Sequence, residues 1–435
     1  MEKFRKGISA PGLVKLVRKR FEKIEDKKNR RGKNRINLAD CLMSGMAIFG
    51  LKYASLLQFE EQMRHRDSGN LESLYQVKRV PSDTYFREEL DEVNPEDVLG
   101  AFTDIFREVQ RGKGLERYTY LNGAYLVAID GTGYFHSNEV HCKSCCEKHH
   151  RDGTVSYYHQ MLGAAIVHPN HKEVIALGPE PIIKEDGDKK NDCERNAAKR
   201  LIARLVKEHP KLPMIVIEDA LYGNDPHIQL LKEHGLSYII GVKPADHTFL
   251  FDWVKKSERQ RFEFKDEKGI IHRFEWVSNV PLNESHLETN VNFLEYWEIG
   301  KTTQHFTWIT DLKLSKKTVQ AVMRGGRARW KIENETFNTL KNQGYQFEHN
   351  FGHGKKHLST VLAYLMMLAF LIDQIQAFSC DLFKNALLAC HNKKSALWRR
   401  MRSAFFEFNI PSWESLYTHI VGKHPRPPLP HLNST

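Results

Sequence analysis

The chain has 435 residues, of which 41% are hydrophobic and 27% charged, a globular balance that excludes a disordered polypeptide and is long enough for two or three domains. A net charge of +11 and a pI near 9.1 point to a polyanionic partner. The charged opening MEKFRKG lacks the apolar stretch of a signal peptide, and the longest apolar run, 361–372, is too short to span a bilayer, so a cytoplasmic, nucleoid-associated protein with no membrane partner is expected.

Residues 1–118 read as a helical, basic region. Lys15, Arg18, Lys19, Arg20, Lys23, Lys27, Lys28, Arg30, Arg31, Lys33 and Arg35 crowd one stretch, fit either for a solvated helix face or for DNA phosphates, with Arg18, Arg20, Arg30 and Arg31 as the candidate contacts. The apolar segment 42–57 supplies a core helix. Another helix starts at Thr84, with Ser82 or Asp83 as its cap. Residues 119–246 turn to an α/β pattern: strands over 125–130, 161–168 and 172–177, the last two a hairpin around Pro169-Asn170. A helix capped by Asn191 and Glu194 follows, then a strand over 214–219, a helix over 227–234 opened by Pro226, and a strand over 237–242. Residues 247–312 alternate with a two-residue period and read as an all-β insertion. Within 313–380 a long helix runs from about Thr318 past Lys331, and a core helix covers 358–378. Residues 381–435 complete the chain as a helical region with a proline-rich tail.

Two of the buried strands stop on acid. The run Leu126-Val127-Ala128-Ile129 meets Asp130, and Ile215-Val216-Ile217 meets Glu218 and Asp219. Ligands in open α/β sheets lie just beyond strand ends, so these acids can converge. A third acid, Glu333, sits on the long helix with Arg329 one turn earlier on the same face. Glu335 competes with it but lies about 200° round the helix. Carboxylates from two strands and a helix could bridge two divalent cations about 3.5–4 Å apart, with Mg²⁺ or Mn²⁺ favoured by the oxygen ligands. The GTG after Asp130 does not fit a dinucleotide fingerprint, because no third glycine follows at the required offset. Gly131 and Gly133 are expected instead to leave room for DNA backbone.

AIDGTGYFHS, IEDALYGNDPHI and RWKIENETFNTLK, in this order, resemble the signature blocks of DDE transposases, more narrowly the bacterial insertion-sequence group with a β-rich insertion before the catalytic Glu. The resemblance covers roughly residues 80–375. Its intervals fit: 219 − 130 = 89 residues and 333 − 219 = 114, the second lengthened by the β segment. It implies an RNase H-like core, a mixed five-stranded sheet with helices, in which Asp130, Asp219 and Glu333 bind two Mg²⁺ or Mn²⁺. It further implies double-stranded DNA, both element ends and target, as the partner of a homodimer that cleaves the ends and transfers the strands. One departure stands out. Gly326 occupies the place of the group's Tyr and Leu340 that of its Lys, leaving Lys341 one residue late and about 100° round the helix. Arg329 keeps its place as a phosphate contact. A nuclease of the same fold and a non-catalytic DNA-binding protein stay open as alternatives.

HCKSCCEKHH, residues 141–150, has the Cys142-x-x-Cys145 half-site of a zinc centre, with Cys146 and His149 as the nearest further ligands for one structural Zn²⁺; the alternative is an ordinary reduced loop. Trp276, Trp297 and Trp308 in the β insertion read as core residues, and His353 in a Gly-His-Gly loop reads as a turn residue.

Overall fold

A computed structural model of the chain describes residues 6–26, 35–64, 69–184 and 193–422. Its first helices begin where side chains can satisfy free N–H groups. Ser9 accepts from Gly12 ahead of α1 (Ala10–Phe21), and Asn37 accepts from Ala39 ahead of α2 (Leu38–Gly50). After α3 (Leu56–Arg64) and α4 (Gly69–Tyr75), Ser82 caps α5 (Asp83–Leu90) by accepting from Tyr85, the start expected from the sequence. Then α6 (Pro95–Arg111) buries Val98, Phe102, Ile105, Phe106 and Val109 on one stripe.

All of α2 is buried, which its composition anticipates, since a helix apolar on every side needs neighbours all round. One neighbour is α12 (Leu358–Ser379), and Gly45 lets the two approach: a Cβ there would sit 2.6 Å from Leu365 Cδ1. The N-terminal helices thus share one core with the rest of the chain. The twelve-residue apolar run is part of a 22-residue helix, long and apolar enough by composition to cross a membrane, but its surface is covered by protein and the core-helix assignment holds.

The strands are β1 (Tyr125–Ser137), β2 (Cys146–His149), β3 (Val155–Val167), β4 (Ile175–Ile182), β5 (Met214–Glu218) and β6 (Ser237–Gly241), with α7 (Glu194–Glu208) and α8 (Asp225–Glu233) flanking β5. After α9 (Thr248–Lys256) come β7 (Gln260–Lys265), β8 (Ile271–Asn283), β9 (His286–Ile299) and β10 (Thr303–Thr310). Strand order is β2-β3-β1-β5-β6-β10-β9-β8-β7, with β4 also paired to β3. The five strands β4-β3-β1-β5-β6 form the expected mixed core, antiparallel on the β3 side and parallel from β1 to β6.

Three expectations need correction. The β insertion is not a separate unit: β10 pairs antiparallel with β6 and extends the same sheet. It also opens with a helix, α9, whose Leu250, Phe251 and Val254 are buried at helical spacing. Third, β1 does not end at Asp130 but continues to Ser137, because β3 pairs with it well past the acid. The last segment holds α10 (Val319–Arg327), α11 (Asn338–Asn342), α12, α13 (Asp381–Ala389), α14 (Lys394–Glu407) and α15 (Trp413–Val421). The proline-rich tail and Asn191 lie outside the described residues.

Candidate active site

The level of the acids is set by strand register. Parallel pairing of β1 with β5 ends at Ala128 opposite Ile217, and Asp130 and Asp219 each lie two residues further on. Asp130 therefore sits where its parallel neighbour has run out, while β3 still holds its backbone from the other side through the Asp130–Gly163 pair. This position does what a strand end would do, with a firmer backbone behind it. Asp219 Oδ1 accepts from Leu221 N–H at 2.9 Å, which fixes the carboxylate at the start of a single 3₁₀ turn.

The third acid comes from the segment joining α10 to α11. Residues Ile332–Phe337 form a π-helical turn, in which Asn338 N–H donates to the carbonyl of Glu333, five residues back. Such wide turns are rare and concentrate at functional sites. This turn presses Phe337 and Ile332 against β3 at Gly163, where a Cβ would lie 2.8 Å from Phe337 Cε1. The residue opposite Asp130 thus makes room for the turn that carries Glu333. A similar fit explains Gly326: a Cβ there would come within 2.5 Å of Trp308 Nε1, so this chain has no space for a tyrosine at that position.

Arg329 joins the acids. Its Nη1 donates to Asp130 Oδ2 at 2.6 Å and to Glu333 Oε1 at 2.7 Å. Burial pushes the Asp130 carboxyl up to about 7; Arg329 opposes that rise, and the adjoining Glu333 carboxyl adds to it. Glu335 has no part in the Arg329 bridge, which joins Asp130 to Glu333. A fourth acid went unrecognised in the sequence. Glu194, read there as a helix cap, lies against Gly131, whose Cβ would be 2.5 Å from Glu194 Oε1. Burial raises the Glu194 carboxyl, and Asp219 raises it further. Glu194, and not open space for DNA, therefore fills the room that Gly131 leaves. The Tyr222 hydroxyl is buried without a hydrogen-bond partner among the described residues, within the field of Glu218, Glu194, Asp219 and Asp130.

Asp219 and Arg329 also line an open groove of about 420 Å³, together with Lys243, His305, Trp308 and Trp330. Trp330 is half exposed, and the Arg329 guanidinium lies 5.8 Å from its ring centre. Its exposure depends on the tertiary fold, and no local pattern in RWKIENE signals it. Trp276 and Trp308 are buried, as expected of core residues, while Trp297 stacks on His305 at 5.0 Å.

Other predicted residues lie elsewhere. Lys341 pairs with Glu348 at 2.7 Å, and the buried Leu340 takes the inward position. Arg18 is no DNA contact: it is buried in ion pairs with Asp40 and Glu22. Arg20 bridges α1 to α6 through Asp104 at 2.6 Å, a structural link instead of a free phosphate ligand. Arg30 and Arg31 lie outside the described residues. In the cysteine cluster, Cys142 and Cys145 converge with His159 and His353. Cys146 and His149 do not join them. Consecutive residues of an extended chain face opposite ways, so Cys146 turns to the Ile182 carbonyl, and the exposed His149 pairs with Glu147 at 3.5 Å.

A family model described as a transposase DDE domain matches residues 125–371, more than half of the chain. Among solved structures, the chain is similar to a piggyBac transposase synaptic complex with hairpin DNA, at 12% identity and a TM-score of 0.42, covering 96% of this chain and 82% of that one. It is also similar to the NurA nuclease from Sulfolobus solfataricus, at 12% identity and a TM-score of 0.25, covering 52% of this chain and 83% of that one. No curated protein matches it by sequence.

Proposed function

The chain belongs to the DDE transposase family and so acts on DNA in transposition, and we propose that Asp130, Asp219 and Glu333 are its metal-binding triad. The observation that carries this assignment is the meeting of Asp130 and Glu333 on one guanidinium, with Asp219 at the same level of the adjacent strand. The donor set fits a hard cation. It is all oxygen, and the carboxylates gathered there, Glu194 included, outnumber the one arginine that joins them. Two Mg²⁺ or Mn²⁺ ions, when bound, supply Lewis-acid charge at the phosphoryl group and a more acidic attacking hydroxyl.

The chain's own residues do the positioning. Arg329 holds Asp130 and Glu333 side by side through Nη1 and lines the groove, so its remaining N–H groups are the donors assigned to a phosphate oxygen. Lys243 offers a second positive charge on the groove wall, and the exposed Trp330 ring offers a flat face for an unstacked base. Supported in this way, the reaction is cleavage at the ends of a bacterial insertion sequence, followed by attack of the freed 3′-hydroxyl on target DNA. A homodimer is the simplest assembly that brings two ends together.

A strand-transfer assay tests the assignment against hydrolysis alone. Protein, Mg²⁺, pre-cut element ends with a free 3′-hydroxyl and a plasmid target should give joined products, and these should disappear with Asp219→Asn. Cutting without any joined product would make the enzyme a nuclease of the same fold.

A further inference from the structure

We propose that Cys142, Cys145, His159 and His353 form a closed structural zinc site that ties the loop after the Glu333 helix to the strands behind Asp130. The proposal is independent of the metal chemistry at the carboxylates.

Geometry is the main support. The four ligand atoms all lie within 4.8 Å of one another. The two sulfurs are 3.8 Å apart, three of the four sulfur–nitrogen separations are 3.6, 3.4 and 3.3 Å, the fourth (Cys142 to His353) lies within 4.8 Å, and the two Nε2 atoms are 3.1 Å apart. A tetrahedral zinc with ordinary bond lengths requires edges of about 3.8 Å for S–S, about 3.6 Å for S–N and about 3.3 Å for N–N. The five edges given as lengths also fall in this order, S–S longest and N–N shortest.

The surroundings suit a structural centre. Cys145, His159 and His353 are 1%, 2% and 6% exposed and Cys142 is partly exposed; four protein ligands fill the positions of a tetrahedral ion, as in structural centres. Cys142 N–H donates to Cys145 Sγ at 3.4 Å, stabilising the thiolate turn. His353 Nδ1 lies 2.9 Å from the Gly354 carbonyl, so the ring donates there and keeps Nε2 free for metal. His159 stacks on Tyr134.

The ligands join three parts of the catalytic unit. Cys142 and Cys145 come from the link between β1 and β2. His159 lies on β3 opposite Phe135, five residues beyond Asp130. His353 comes from the connection between the Glu333 helix and α12. Asp91 fixes the far side of that connection, accepting N–H groups from Lys355, Lys356, His357 and Leu358 at 2.9–3.0 Å. The site thus holds the segment leaving the Glu333 helix against the sheet that carries Asp130.

Elemental analysis of the full chain purified without chelator should find about one zinc per chain. His159→Ala and His353→Ala should reduce this to a small fraction, while Cys146→Ser and His149→Ala leave it unchanged. An alanine at a buried position can also disturb folding, so His353→Cys is the companion variant, since it restores a fourth ligand. It should retain zinc. With Co²⁺ in place of zinc, its thiolate-to-metal absorption should rise by about half, from two thiolates to three. Wild-type protein that carries no zinc and gives no thiolate–Co²⁺ band overturns the site. So does zinc kept by His353→Ala and lost from Cys146→Ser.

Discussion

The carboxylates around Asp130 and the sulfur and nitrogen atoms around Cys145 share two pieces of chain, the paired strands β1 and β3 and the stretch after β10. They are built in opposite ways. The carboxylate cluster is open: Glu333 is 39% exposed along its side chain, the donors are hard oxygens, and Arg329 stands between them as a counter-ion that belongs to the protein. The sulfur–nitrogen cluster is largely buried, Cys142 alone being partly exposed, and among the described residues its ligand atoms contact one another and not a lysine or arginine. An open oxygen site admits a substrate phosphate beside a cation that dehydrates reluctantly, whereas a closed thiolate–imidazole site retains its ion and acts only as a clasp. One strand pair can therefore serve both purposes, provided that the ligands face different ways.

The largest effect should come from the open cluster. Glu333→Ala and Asp130→Ala should bring end cleavage to background, a loss of at least about 100-fold, with DNA binding largely kept. Glu335→Ala should cut nearly normally, because the guanidinium that reaches Asp130 is shared with Glu333 and not with Glu335. The reverse pattern, with Glu335 essential and Glu333 dispensable, would transfer the third ligand to Glu335 and dissolve the contrast.

A second change acts between the two clusters. Gly163→Val puts side-chain atoms where Phe337 and Ile332 now touch the sheet, so the π turn has to move away from β3. Stability should fall by about 1–3 kcal/mol through overpacking. Cleavage should fall further, by about 10- to 100-fold, because a shift of about 1 Å separates Glu333 from Asp130. Zinc content should not change, since His159 and His353 lie away from the contact. Cleavage kinetics set beside metal analysis of the same preparation gives the answer. Normal cleavage with Val at 163 would mean that the turn is not held in register by this contact.

How far the sequence could be read follows from what each feature depends on. Asp130, Asp219 and Glu333 stood out because each belongs to a short block whose apolar run or Arg spacing is local. The continuation of β1 through Gly131 and Gly133 did not, because it depends on pairing with β3, and a period-two signal fades where glycines interrupt it. The same limit explains the zinc ligands. Cys142 and Cys145 are three residues apart and announced a half-site, but His159 and His353 lie 14 and 208 residues from Cys145, a distance that no periodicity bridges. Proximity in sequence suggested Cys146 and His149 in their place, and strand alternation turned Cys146 away. Glu194 was legible as a helix start, and only the tertiary fold brings it beside Asp219.

Arg18 gives the smallest effect on function and tests the comparison from a third position. Arg329 and Arg18 each lie between two acids, yet Arg329 borders an open groove while Arg18 is shut between α1 and α2. Arg18→Met keeps much of the side-chain volume and removes the charge, leaving Asp40 buried with, among the described residues, the Lys78 and Arg79 backbone N–H groups to donate to it. Breaking one side of a buried pair should cost about 3 kcal/mol, the low end of the usual range because those donors stay. Chemical denaturation reads that loss. DNA affinity across a salt series should keep its slope, whereas removal of a phosphate contact lowers the slope by about one. A lowered slope with unchanged stability would place Arg18 back on the DNA, and the basic run of α1 would then be a binding face after all.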